Sequence, residues 1–536
     1  MSGQRPSTGS GPRSSEVERI IASAEVDTTF AGKKAIRYRG RRSTWPGALG
    51  LVLILAGSIV GLTYYGMKVH DKVDAKVSSD AAIRERFGTG TLIADGRPNG
   101  NSSEEDINVV NPEQYKDKKC QQPEYVSKNG RVFAVFKGGK EVQIDIKGVT
   151  WMGMQDNKGV PKGLWDNSRE GSTLYRVGQF LTGNNFNAVR FPLSIDAAMR
   201  NTEIDLNLIN TNSNRALKTT RYNKLLGLLA QGLGQFGIGI VLDFFTLSAI
   251  SKDDSALWYG TSIQLDDIKT AITNLATELC NSKHFNVIGI DLKSGVGRTA
   301  TWGDGSNTDW AAAATELGEH LVKACPQWLA FVGGIQGGSR KDKYEGDRVI
   351  KTKFWPGSDL SNVKKTPIKL SKAGKLVYSP RYWTSSFQPM AYFFDDGDSK
   401  GDMLFKYKES PDDTLKKNVQ ANMNYMFGDA LDSGAAVVLS AFGGLMGEDD
   451  KTPKKTSTRI VQILLEQMQA AEKGLAGGFW YTLNPETVWS YPAPDDSNAT
   501  TAGLLDPTWR AANQNVLKNL VKMDKMASVA YIPCET

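Results

Sequence analysis

Apolar residues along this chain gather into short continuous runs separated by longer amphipathic stretches. Val287-Ile-Gly-Ile290 leads into Asp291-Leu292 and then a glycine-containing loop, the pattern of a buried strand ending where a loop begins. The same reading applies to Gly148–Gly153, Asn187–Pro192, Gly239–Asp243, Leu329–Val332, Lys375–Ser379, Ala436–Ser440 and Gly478–Thr482. Helical periodicity separates most of them, over Leu174–Thr182, Thr220–Phe236, Leu265–Cys280, Trp310–Cys325, Thr414–Leu431 and Arg459–Ala476, and a last helix is expected over Thr508–Lys522. Eight strands alternating with these helices predict a parallel sheet closed into a (β/α)8 barrel. Ahead of it, strand-like runs over Tyr125–Ile146 are broken by Asn129-Gly130 and Gly138-Gly139, which signals a hairpin. A polar stretch of roughly 339–373 reads as an insertion before the sixth strand.

The N-terminal region follows another pattern. Residues 1–45 are rich in Ser, Gly, Arg and Pro without apolar periodicity, which predicts a disordered basic tail. Lys33, Lys34, Arg37, Arg39, Arg41 and Arg42 then crowd against an uncharged run, 46–67, long enough to cross a bilayer. The run begins too late and is too long for a cleaved signal peptide. Basic residues on its N-terminal flank keep that side cytosolic. The expectation is a single-pass type II membrane protein at the plasma membrane or in the secretory pathway. Residues 68–122 read as an extracytoplasmic polar stalk, and 123–536 as the barrel, extracellular or lumenal. Asn101-Ser-Ser103 and Asn498-Ala-Thr500 are N-glycosylation sequons usable on that side.

Composition narrows the chemistry. Of the net charge of +7, residues 1–45 carry +5, so the basic balance belongs to the tail and nucleic-acid binding gains no support. The only histidines are His70, His284 and His320, none at a strand end where barrel chemistry is done, which argues against His-dependent triads and zinc sites. No metal or cofactor is implied. Cys120, Cys280, Cys325 and Cys534 all follow the apolar run, an even set on the non-cytosolic side that favours disulfides. Three pairings exist. The preferred one ties the ends of the barrel (Cys120–Cys534) and joins residues ahead of two consecutive strands (Cys280–Cys325); four buried thiols are the alternative.

From Tyr125 to Trp509 the chain resembles family 5 glycoside hydrolases, the cellulase-type enzymes. In that family the fourth strand ends Asp-Leu-x-Asn-Glu-Pro, with the Glu as general acid/base; here Asp291-Leu-Lys-Ser-Gly-Val296 puts Gly295 at that position. The family nucleophile lies in Gly-Glu-Phe-Gly at the end of strand seven; here Ser440-Ala-Phe-Gly443 puts Ala441 there. The resemblance thus implies no catalytic residue. The strand-three His of the family is Phe245, the strand-six Tyr-Ser-Pro-His-x-Tyr has Arg381 and Trp383 at its last two conserved positions, and Tyr481 stands for the Trp that floors the cleft, with Trp480 beside it. Gln155 stands where the first strand often has Glu. Arg190, Trp165, Trp302 and the Thr501–Trp509 stretch match. The resemblance also implies that the hairpin closes the bottom of the barrel.

A retaining glycosidase needs two carboxyls about 5–5.5 Å apart, and this sequence has neither at the family positions. Asp304, Glu448 and Glu486, in loops after strands four, seven and eight, are expected as solvated charges, and Arg190 as the partner of a neighbouring acid such as Asp243. Tryptophans near strand ends (Trp151, Trp165, Trp258, Trp302, Trp383, Trp480 and Trp489) suit pyranose faces, although several are expected in the core. Three readings follow. The first is a membrane-anchored pseudoenzyme that binds β-glucan or another wall polysaccharide through Arg190, Trp165, Trp302, Trp383, Trp480 and Tyr481, beside an unspecified membrane protein. The second is an active β-glycosidase using displaced carboxylates. The third is a structural or protein-interaction ectodomain whose barrel top is filled by Phe245, Trp383 and the insertion.

Overall fold

The structure is a computed structural model of the 536-residue chain. It describes residues 49–50, 53–59, 61–65, 67 and 109–536, apart from 168, 251–255, 401–402 and 490–499. The chain divides into two compact units, Met1–Lys76 and Val77–Thr536. In the first, the described residues are helical and expose Leu53, Ile54, Leu55, Ile59 and Leu62. No helix among the described residues is long and apolar enough to cross a membrane. The basic tail, most of the expected stalk, and both sequon asparagines, Asn101 and Asn498, lie outside the described residues.

The second unit begins with an antiparallel sheet of β1 (Glu124–Lys128), β2 (Arg131–Val135) and β3 (Glu141–Gln143). Asn129 and Gly130 turn the chain at φ of 51° and 70°, the left-handed pair a two-residue type I′ hairpin requires and Asn-Gly readily adopts. The parallel strands follow: β4 (Ile146–Thr150), β5 (Ala188–Ser194), β6 (Gly239–Thr246), β7 (Val287–Asp291) and β8 (Leu329–Val332). A hairpin of β9 (Arg340–Tyr344) and β10 (Arg348–Thr352) comes next. The sixth barrel strand is in two pieces, β11 (Leu376–Tyr378) and β12 (Arg381–Trp383), separated by Pro380, which has no N–H for the ladder. After a hairpin of β13 (Phe394–Lys400) and β14 (Met403–Glu409), the seventh strand is split into β15 (Ala436–Val437) and β16 (Leu439–Gly443), and the eighth is β17 (Gly477–Trp480). The order β12-β16-β17-β4-β5-β6-β7-β8-β11-β15 begins and ends with halves of the sixth and seventh strands. Its two ends therefore meet, and the sheet is a closed barrel.

The helices are α1 (Leu174–Gly183), α2 (Ile195–Arg200), α3 (Tyr222–Gly234), α4 (Leu265–Leu279), α5 (Trp310–Ala324), α6 (Asp412–Leu431), α7 (Thr456–Met468) and α8 (Gln514–Leu520). Side-chain caps start several of them: Thr173 accepts from the Arg176 N–H, Asp309 from the Ala312 N–H, and Gln264 and Asp267 form a reciprocal box. The expected eight-fold alternation is interrupted once. Among the described residues, no α-helix connects β8 to β11. The insertion takes that place and is less polar in effect than its composition suggests, because it buries Tyr344, Phe354, Trp355, Leu360, Val363 and Ile368 against the barrel. The last helix is shorter than expected, because Asp506 accepts from the N–H and Oγ1 of Thr508 and Trp509 turns the chain at φ 62°.

The small sheet packs on the N-terminal ends of the barrel strands, where Tyr125, Val132, Ala134 and Phe136 share a core with Ile146, Phe285, Leu329 and Phe479. Tyr125 Oη donates to Phe285 O (2.6 Å), and Lys375 Nζ donates to Tyr125 O (2.7 Å). Residues 109–122, expected as the end of a stalk, belong to the barrel body instead. Asn111 accepts from the Arg215 N–H (2.9 Å), Lys118 Nζ donates to Gln235 O (2.8 Å), and Tyr115 packs on the core. Cys120–Cys534 and Cys280–Cys325 are both disulfides. The second joins the C-terminal caps of α4 and α5.

Candidate functional site

Strands β5, β6 and β7 carry Arg190, Asp243 and Asp291 toward the barrel mouth, and pairing sets Asp243 directly beside Asp291. Arg190 Nη2 lies 2.9 Å from Asp243 Oδ2 and 3.0 Å from Asp291 Oδ2. Ser379 Oγ donates to the same Asp291 oxygen at 3.4 Å. Burial raises the Asp291 carboxyl above its usual range; the Arg190 guanidinium opposes that shift and the Asp243 charge adds to it. Two carboxyls sharing one guanidinium are close enough to suggest the retaining pair. Burial decides against that role: Asp243 is 0% and Asp291 1% exposed, so neither reaches a glycosidic oxygen or an anomeric carbon.

Beside Gly295, where the resemblance expects the acid/base, lies an arginine. Arg381 opens β12 directly opposite Ala441 of β16, which the resemblance sets at the nucleophile position. Its guanidinium extends over the Phe245 ring, 5.5 Å from the centroid. Its Nη1 comes within 2.7 Å of where a Cβ on Gly295 would lie. Gly295 itself has φ 69°, a conformation that side chains disfavour. Over it lies Gly357 of the insertion, whose N–H donates to Val296 O (2.9 Å). The Arg381 guanidinium therefore fills the space beside Gly295, while its backbone pairs with Ala441. Beneath it, Lys293 Nζ donates to Phe245 O (3.0 Å) and Ser294 O (2.8 Å). Burial, with Arg381 repelling in the same direction, lowers the Lys293 ammonium to about 8.

Aromatic side chains form one wall. Trp383 meets Tyr481 edge-on (5.1 Å), stacks on Phe387 (5.1 Å) and meets Trp489 edge-on (6.2 Å). Phe387 is 41% exposed and Tyr481 is half-buried, while Trp383 and Trp489 are buried. Trp165, half-buried, lies edge-on to buried Trp509, whose Nε1 donates to Glu486. Trp302 donates its Nε1 to Thr366 O (2.9 Å).

Arg190 and Trp480, expected on the cleft surface, are each 1% exposed and offer a ligand no surface. The Trp480 ring is turned onto Phe442. Trp151 and Trp258 are core residues as well. Asp304 and Glu448 are exposed loop charges, the first held by Thr301 and Ser306 and the second 3.6 Å from Lys455. Lys293, Asp291 and Gly357 were not singled out from the sequence. A lysine and an aspartate at the end of an apolar run signal the first two, whereas nothing local marks Gly357. Among the described residues, no three His, Cys, Asp or Glu side chains gather to hold a metal ion.

A closed parallel barrel with chemistry-bearing residues at its strand ends defines a class shared by many glycosidases. A profile of the family described as Cellulase (glycosyl hydrolase family 5) matches residues 142–486, and the chain belongs to that family. It is similar to the major extracellular endoglucanase of Xanthomonas campestris pv. campestris, 26% identical over 71% of this chain and 67% of that protein. An endoglucanase of Paenibacillus polymyxa is 27% identical over 49% of this chain and 61% of its own length. The endocellulase of Pyrococcus horikoshii in complex with cellotetraose shares the fold at a TM-score of 0.59, with 24% identity over 75% of this chain and 99% of that one.

Proposed function

We propose that this chain is a membrane-anchored, family 5 barrel that binds β-glucan-type polysaccharide without hydrolysing it. One observation carries the reading: the Arg381 guanidinium lies against Gly295, where the resemblance puts the acid/base, and a guanidinium does not protonate a leaving oxygen at neutral pH, while Ala441, where the resemblance puts the nucleophile, has no group that attacks an anomeric carbon. General acid/base catalysis alone is worth about 10²–10⁴ in rate. Binding is supported by the exposed Phe387 and half-buried Tyr481, both held by buried Trp383, with half-buried Trp165 as a further contact, and by the cellotetraose complex of the P. horikoshii relative. Trp302, expected as a contact, is buried with its Nε1 bonded to Thr366 O. Anchoring is supported by the uncharged run 46–67 behind its basic flank, which sets the barrel outside the cytosol.

The test uses the full chain in a detergent without sugar headgroups. Titration with cello-oligosaccharides quenches tryptophan fluorescence saturably, while reducing ends do not accumulate. Turnover would favour the reading in which displaced carboxylates act. Absence of binding to any glycan would favour an interaction ectodomain, a reading that has its own support in the insertion covering Gly295. Retention of the full chain in membranes washed with alkaline carbonate tests the anchor.

A further inference from the structure

The two carboxylates at the mouth are committed to Arg190, and Lys293 is committed to two carbonyl oxygens. Arg381 has no such commitment: among the described residues it forms no hydrogen bond and no ion pair, and its Nε and Nη2 are buried without a partner. Three cations therefore face two carboxylates where the family carries two further acids, and the surplus charge belongs to the one guanidinium without partners. An unpaired, largely buried charge is costly unless something pairs with it. Nε and Nη2 form one edge of the guanidinium, the fork whose N–H groups donate to both oxygens of a carboxylate. The rim beside it is half-exposed at Phe245, Gly295 and Tyr481; the Phe245 ring lies under the guanidinium, and Tyr481 meets Trp383, on which the exposed Phe387 stacks.

We infer that the barrel mouth is a receptor for an acidic saccharide, with Arg381 pairing with the carboxylate of a uronate-type residue while the neighbouring rings contact the sugar. Nε and Nη2 are buried, so Arg381 rotates toward the rim to meet the carboxylate. That rotation breaks no protein hydrogen bond, because there is none to break. The glycine at 295 is part of the device: its missing side chain leaves the room that Nη1 occupies. This inference rests on the saccharide-binding reading above and gives it a chemical class.

The experiment titrates the full chain by calorimetry with three probes: β-1,4-linked tetraglucuronate, cellotetraose and inorganic phosphate. A charge-assisted fork predicts that the tetraglucuronate binds at least about tenfold tighter than cellotetraose. Raising salt narrows the gap, and Arg381→Met abolishes it while Arg381→Lys keeps part of it, with thermal denaturation confirming that both variants fold. Equal affinity for the two oligosaccharides in the unaltered chain would overturn the inference and leave glucan binding standing. Binding of neither would overturn both. An Arg381-dependent phosphate site without preference for the acidic oligosaccharide would reassign the fork to free anions and overturn the saccharide receptor. A preference that survives Arg381→Met would do the same.

Discussion

Arg190 and Arg381 show how differently two arginines act in one barrel. Arg190 sits between two buried carboxylates and holds them together, so its loss strands two charges without a partner. Arg190→Met is expected to cost about 3–5 kcal/mol in urea unfolding, and adding Asp243→Asn and Asp291→Asn is expected to recover part of it. A loss below about 1 kcal/mol would contradict the pairing. Because Arg381 lies against Gly295, placing acids at 295 and 441 is expected not to create a working pair. Gly295→Glu places a side chain at φ 69° and against the guanidinium, a strain of about 1–2 kcal/mol. Gly295→Glu with Ala441→Glu is expected to show no cellulase-type turnover in a reducing-end assay, and turnover in that double variant would show that Arg381 does not block the site. Gly295 and Ala441 stand inside strand-end motifs that the sequence displays. The arginine against Gly295 was not legible, since it depends on Arg381 reaching across from another strand and on Gly357 arriving from an insertion far along the chain.

Strands and helices were legible for a physical reason: parallel barrel strands are buried on both faces, so Val287–Asp291 and Leu329–Val332 read as unbroken apolar runs. The insertion was misread because its buried Tyr344, Trp355 and Leu360 are spaced irregularly among charges and carry no period. In the turn after α4, His284 packs against α3 and offers a test of packing at this scale. It is buried, with Nε2 3.1 Å from Gln231 Nε2 of α3, and burial together with Lys224 and Lys283 lowers it to about 4. The unfolded chain protonates it near 6.5, so its contribution to stability is complete above that value and is lost as pH falls toward about 4. Unfolding midpoints in urea are expected to drop between pH 7 and pH 4.5, and His284→Gln is expected to flatten that slope. An unchanged slope in the variant would assign the acid sensitivity elsewhere.

For the barrel unit as a whole, the two disulfides close loops of very different length, 414 and 45 residues apart in sequence. Chain entropy gives about 6 kcal/mol for the first and about 4 for the second. Cys120→Ser with Cys534→Ser is therefore expected to lower the melting temperature more than Cys280→Ser with Cys325→Ser, and the reverse order would show that the termini are held mainly by packing. The pairing was legible because a closed barrel brings its two ends together, whereas the docking of residues 109–122 was hidden by their polar composition. The central claim is that no pair of acids at the barrel mouth can cut a glycosidic bond. It is tested most directly by incubating the full chain at high concentration with cellotetraose and measuring shorter products by mass spectrometry. Bound, intact cellotetraose is the predicted result. Products whose formation is lost in Asp291→Asn or Asp243→Asn would contradict it.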